Sequence, residues 1–243
     1  MDESKEFNDL HLPHLLRYVV PILWNPMNMG SGVLVDVEGR HFVVSAAHCI
    51  QSNPLIQICP VPANLHTPVE MRTLRPKLSA WKNHQVDIGY VEIDDPGCQA
   101  LGWDQLSYAP ELLTGQVHVV GYPQANVQLD LTNREVTFAL NMFSTGIIDA
   151  TPDHLKLRYP VHGSNYDAAS GTWIPCQFPE TPKGYSGGGV FVVTKARVGG
   201  LELVEYKLIA IQNCWQKSER YVQATPIQWV CDLMKSNGIV SSS

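Results

Sequence analysis

The chain has 243 residues, enough for one large domain or two small ones. Its 44% hydrophobic content excludes a disordered chain, and 17 basic against 23 acidic side chains exclude the electropositive footprint of a nucleic-acid-binding surface. No apolar run reaches the roughly 18 residues of a membrane-spanning helix, and the polar, acidic first ten residues predict no signal peptide.

Glycine and proline, at 18 and 17 residues, suit a turn-rich fold better than a helical bundle. In chain order, residues 33–37 and 41–45 are β-rich runs joined by Glu38-Gly39-Arg40, which is hairpin spacing. Further strands are predicted at 55–61, 86–93, 116–121, 136–140, 155–159, 189–194, 206–212 and 221–224. Several alternate apolar and polar residues, as half-buried antiparallel strands do. One helix is clear, at the C-terminus. Thr225 can cap it, Pro226 suits its first position, and Gln228 completes a capping box. Ile227, Val230, Cys231 and Met234 share one face, and Gly238 is a natural stop. A break within residues 94–115, at Asp94-Asp95-Pro96-Gly97 and Pro110, divides the chain into two halves.

The six cysteines stand at 49, 59, 98, 176, 214 and 231. None has CxxC or Cys/His metal spacing, so no metal and no other cofactor is predicted. They read as small buried hydrophobes in a reducing, cytoplasmic setting, although the even count leaves disulfide pairing open.

Three segments carry chemistry. In Gly184-Tyr185-Ser186-Gly187-Gly188, a serine flanked by glycines precedes an apolar strand. Glycines let backbone amides approach a ligand closely, so the Gly184 and Ser186 N–H groups can converge on one oxyanion. An ordinary glycine-rich turn reads the same way. Ser45-Ala46-Ala47-His48-Cys49 runs from a strand through small residues to a histidine, which is either a catalytic base or a satisfied core residue. Asp87 stands where a strand is predicted to begin, among apolar neighbours. It is either a solvated strand-end carboxylate or a buried one held by a histidine N–H.

Together, the order His48, Asp87, Ser186 in a two-part β chain resembles the chymotrypsin/trypsin-like serine peptidases. The resemblance covers almost the whole chain. Residues 29–35 match the family's strand ahead of the histidine, Asp87-Ile88-Gly89-Tyr90-Val91 its aspartate motif, and Gly121-Tyr122-Pro123 the first strand of its second barrel. It implies an all-β fold of two six-stranded antiparallel barrels with a C-terminal helix. The expected boundaries are an extension at 1–14, barrels at 15–105 and 106–224, and the helix at 225–240. It also implies a serine endopeptidase with a protein substrate: Ser186 as nucleophile, His48 as base, Asp87 orienting the imidazole, and the Gly184 and Ser186 amides as oxyanion hole.

The chain departs from secreted relatives. They pair an aspartate just before the nucleophile with a new N-terminal amine, and here that residue is Tyr185. Val33 and Pro182 stand where disulfide cysteines are usual. The pattern is most similar to disulfide-free microbial trypsin-like peptidases, some of which act as effectors in anti-phage or cell-death systems. An activating protein acting in trans is an expected partner; nucleic acid and membrane are not. At the base of the S1 pocket the resemblance places Glu180, with Glu219 near the closing strand and Gln212 and Asn213 in the wall. A carboxylate there implies preference for Arg or Lys at P1. A catalytically silent protein-binding module on the same fold is the competing expectation.

Overall fold

The computed structural model describes residues 14–15, 17–25, 28–51, 56–58, 72–74, 79–81, 86–97, 99–109, 113, 115–124, 127–130, 135–138, 140–167, 172–178, 181–198 and 201–240. The first unit contains β1 (Val19–Asn25), β2 (Asn28–Val37), β3 (Arg40–Ser45), α1 (Ala47–Gln51), β4 (Ile56–Ile58), β5 (Arg72–Leu74), β6 (Ser79–Trp81), β7 (Gly89–Ile93) and β8 (Leu101–Gly102). The second contains β9 (Gln116–Gly121), β10 (Val127–Asp130), β11 (Glu135–Phe138), β12 (Asn141–Ala150), β13 (Leu155–Arg158), β14 (His162–Asp167), β15 (Thr172–Gln177), β16 (Gly189–Val198), β17 (Leu201–Gln216), β18 (Tyr221–Pro226) and α2 (Gln228–Ser236).

The second unit is the six-stranded closed barrel the resemblance implies, in the order β12-β13-β18-β17-β16-β9. The β10–β11 and β14–β15 hairpins form two-stranded sheets of their own. The first unit differs in detail. Its described strands form one eight-stranded sheet along the path β5-β4-β1-β2-β3-β7-β6, with β8 joining β2 in parallel. Along that path the short end strands β5 and β6 extend the sheet at opposite ends instead of pairing with each other.

Local chemistry explains the β2–β3 hairpin. Val37 pairs with Arg40, leaving Glu38 and Gly39 as a two-residue loop. Both have positive φ, 53° and 79°, the combination whose twist matches that of the flanking strands. Asp36 Oδ1 accepts the Gly39 N–H at 3.1 Å and holds the turn.

In this sheet β2 is not half-solvated, unlike the half-buried strands the sequence suggests for several runs. In β2, Val33 and Val35 pack into one cluster while Leu34, facing the other way, packs into another with Val43 and Val91. Both faces are covered, so β2 reads as a nearly continuous apolar run. The first of these clusters also takes in Tyr122, Phe191 and Leu208 of the second unit and Ile227, Val230 and Met234 of the C-terminal segment, so one core spans both units.

The helix lies close to its predicted place, but its start differs. Its N-cap is Ile227, with no side-chain cap. Thr225 belongs to β18 and is turned inward, donating its hydroxyl to the Val86 carbonyl, while the Gln228 amide donates to Asp232. A buried hydroxyl finds a better partner in a neighbouring backbone than at a helix end. Gly238 does end the helix, at φ 67°, with its N–H on the Lys235 carbonyl and the Ile239 N–H on that of Met234. Met234→Ala is expected to cost about 2–5 kcal/mol, because its fully buried side chain leaves a cavity in this shared core. Urea denaturation measures this, with exposed Ile148→Ala as a control expected to stay within about 0.5 kcal/mol of wild type.

Candidate active site

His48 sits on α1, the short helix that follows β3. Ala46 and Ala47 are buried, and their small side chains let the chain turn tightly from strand to helix. Asp87 precedes β7, which begins at Gly89 rather than at residue 86 as the sequence predicts. Its backbone is left-handed, at φ 44°, a conformation aspartate tolerates better than most residues. Gly89 is the first residue of β7. A Cβ there would lie 2.6 Å from the Ala80 carbonyl oxygen, so β7 can approach β6 only without one.

The Asp87 carboxylate accepts two hydrogen bonds from His48, the backbone N–H at 3.0 Å on Oδ1 and the ring Nδ1–H at 2.7 Å on Oδ2. A carboxylate can only accept, so the ring proton is assigned to Nδ1 and the Nε2 lone pair of the neutral ring is left for a proton. The hydrogen bond to Asp87, followed by one with Cys49, pushes the imidazole up from its usual 6.5 to about 10, with burial pulling the other way.

Ser186 lies in a loop anchored from both units. Its carbonyl accepts the Ser31 N–H at 2.7 Å and the Cys49 thiol at 3.4 Å, so the residue after His48 touches the serine's backbone. Gly187 donates to the Gln212 carbonyl at 2.7 Å, and Gln212 donates to that of Gly188 at 2.9 Å. Gly184 and Gly187 both have positive φ, 94° and 89°. The Tyr185 N–H donates to Pro182 and the Gly188 N–H to Tyr185, whereas the Gly184 and Ser186 N–H groups have no acceptor among the described residues. The Ser186 hydroxyl donates to the Asn213 carbonyl at 3.5 Å, and no hydrogen bond joins it to His48.

A family model described as the trypsin-like peptidase domain matches residues 30–201, which include Ser31, His48, Asp87 and the loop from Gly184 to Gly188. The chain belongs to that family. Solved structures sharing its fold include the serine endoprotease from Yersinia pestis, at 14% identity and TM-score 0.55, covering 92% of this chain and 65% of its own. The HtrA-type protease AlgW with a tripeptide stands at 15% and 0.55, covering 91% and 60%. An inactive form of Rv3671c from M. tuberculosis H37Rv stands at 12% and 0.52, covering 97% and 94%. The chain therefore spans less than two thirds of the length of the first two. No curated protein matches it by sequence.

The expected specificity residues of this trypsin-like domain separate. Gln212 and Asn213, on β17 beside Ser186, are buried. Gln212 Oε1, Asn213 Oδ1 and Trp215 Nε1 have no hydrogen-bond partner. Glu219 is exposed in the turn between β17 and β18, and Glu180 lies outside the described residues. The Trp215 ring lies edge-on to Tyr159 at 4.8 Å. Cys49, Cys214 and Cys231 are free thiols. The sequence offers Thr225 as a helix cap and Asn213 as pocket wall, and does not show the bridge they form together. Asn213 Nδ2 donates to Thr225 Oγ1 at 2.7 Å, and Thr225 donates to the carbonyl of Val86, the residue before Asp87. The only signal in the sequence was two polar residues in apolar strands.

Only the neutral imidazole can take a proton, so activity rises as pH rises through the His48 titration, which Asp87 holds above 6.5. The acid limb of the kcat/KM–pH profile is expected above pH 6.5 and should move down toward that value in Asp87→Asn, with lower kcat. An unchanged limb in Asp87→Asn counts against the pair.

Proposed function

We propose that the chain is a serine endopeptidase that cleaves a protein substrate through His48, Asp87 and Ser186. The observation carrying the reading is the doubly bonded His48–Asp87 pair, which leaves Nε2 free to take a proton, together with the two unengaged amides beside Ser186.

The Ser186 hydroxyl leaves the Asn213 carbonyl for His48 Nε2 as substrate binds. Oγ attacks the scissile carbonyl carbon, and its proton passes to Nε2. Asp87 stabilises the resulting imidazolium, and the carbonyl oxygen, now negative, is received by the Gly184 and Ser186 N–H groups. The intermediate collapses as Nε2 gives its proton to the leaving amine. Water then releases the acyl group from Oγ by the same steps, with His48 again as base.

The proposal extends to preference for Arg or Lys at P1. The unpartnered acceptors Gln212 Oε1 and Asn213 Oδ1 support it, because a buried acceptor gains most from a charged donor. A P1-varied peptide library reads this out. Cleavage concentrated after Arg and Lys is expected, and cleavage after small apolar residues alone would sink the preference.

The primary test is labelling with a fluorophosphonate probe. Wild type is expected to label and Ser186→Ala to remain folded and unlabelled. Equal labelling of both removes Ser186 as the nucleophile. A folded wild type that never labels or cleaves favours the protein-binding module instead.

A further inference from the structure

Ser31 is fully buried on β2 of the first unit, yet its partners lie mostly in the second. Its hydroxyl accepts the Tyr122 N–H at 2.9 Å and donates to the Gly184 carbonyl at 2.9 Å. Its N–H donates to the Ser186 carbonyl, and its own carbonyl accepts the Ser45 hydroxyl at 2.7 Å. The residue thus grips the nucleophile loop at 184 and at 186, the two positions whose amides have no acceptor.

Gly184 is where a grip is needed. Glycine at φ 94° has a wide choice of conformations, and nothing in its side chain selects one. Fixing its carbonyl fixes the peptide plane that joins it to Tyr185, while the preceding plane, which carries the Gly184 N–H, is held by the Gln124 N–H on the Lys183 carbonyl at 2.8 Å. Between the two gripped residues, Tyr185 is fully buried with its ring 5.9 Å from Phe143, which in turn packs on Tyr159 and Phe178. The approach is close throughout: a Cβ on Gly187 would lie 1.8 Å from the Ser31 carbonyl oxygen.

We propose that Ser31 is a positioning residue for the oxyanion loop, its hydroxyl holding Gly184 so that the Gly184 and Ser186 amides stay aimed at one oxygen before substrate arrives. The inference rests on the reading of these amides given above. It assigns to a first-unit serine, with the seated Tyr185 ring, the ordering that secreted relatives obtain from a new N-terminus.

The test uses the full chain with Ser31→Ala, Ser31→Cys and Ser31→Thr. It measures kcat and KM on a peptide substrate, thermal midpoint, and hydrogen–deuterium exchange of residues 182–188. Losing an oxyanion donor outright costs about 10²–10³-fold in kcat, so loosening one is expected to cost about tenfold or more in Ser31→Ala while KM stays within about twofold. Exchange is expected to quicken in 182–188 but not in β16 or β17, and Ser31→Thr, which keeps the hydroxyl, is expected to recover both readouts. A folded Ser31→Ala whose kcat is within about twofold of wild type, whatever its thermal midpoint, overturns the proposal. If the alanine variant does not fold, the same criteria apply to Ser31→Cys. If wild type neither labels nor cleaves, the peptidase reading fails and exchange alone judges the clamp: faster exchange confined to 182–188 supports it, and unchanged exchange overturns it.

Discussion

The Ser31 N–H to Ser186 C=O bond, 2.7 Å long, joins a strand of the first unit to the loop of the second that carries the proposed nucleophile. Much of the site follows from this contact. It sets how closely β2 approaches the loop, and that approach leaves no room for a side chain at Gly187. It also brings α1, which follows β3, near enough for Cys49 to touch the Ser186 carbonyl. Ser186 and His48, contributed by different units, are brought together by contacts across the boundary and not by a hydrogen bond between their own side chains.

A second bridge runs the other way. Asn213 and Thr225, on β17 and β18, lead to the carbonyl of Val86, immediately before Asp87. The second unit therefore helps to hold the left-handed turn from which the carboxylate reaches His48. Buried polar chains of this kind stabilise only when their members are satisfied, and a satisfied chain selects one geometry among many. Asn213 Oδ1 in this chain, and Gln212 Oε1 and Trp215 Nε1 on the same strand, are the exceptions, with no hydrogen-bond partner among the described residues. Continuous burial reinforces both bridges. The core that contains Val33 and Val35 also contains Tyr122 and Met234, so the units share apolar surface as well as hydrogen bonds.

Much of this was legible in sequence. The β-rich run at 116–121 became β9 with the expected bounds, and that at 41–45 became β3 with one residue more at its start, because β-branched runs between turn residues leave few alternatives. Gly238 ended the last helix because a left-handed residue there needs no Cβ. Other features were misread for one physical reason, that local pattern cannot see the neighbouring layer. The β-rich run at residues 33–37 did not show that apolar clusters cover both faces of β2. Thr225 has the chemistry of a helix cap and was drawn instead to Val86, which is 139 residues away in the chain.

The sequence by itself determined the family-like motifs around His48, Asp87 and Ser186, the β-rich class, and the glycines that the nucleophile loop needs, since these depend on residue type and short spacing. Only the tertiary structure decided that Asp87 binds both the ring and the backbone of His48, that the Ser186 hydroxyl rests on Asn213, and that Ser31 reaches Gly184. Each of these is a hydrogen bond between groups 27 to 153 residues apart, and its length is fixed by how distant segments pack, within a unit or, for Ser31, across the two, which no local run of residues encodes.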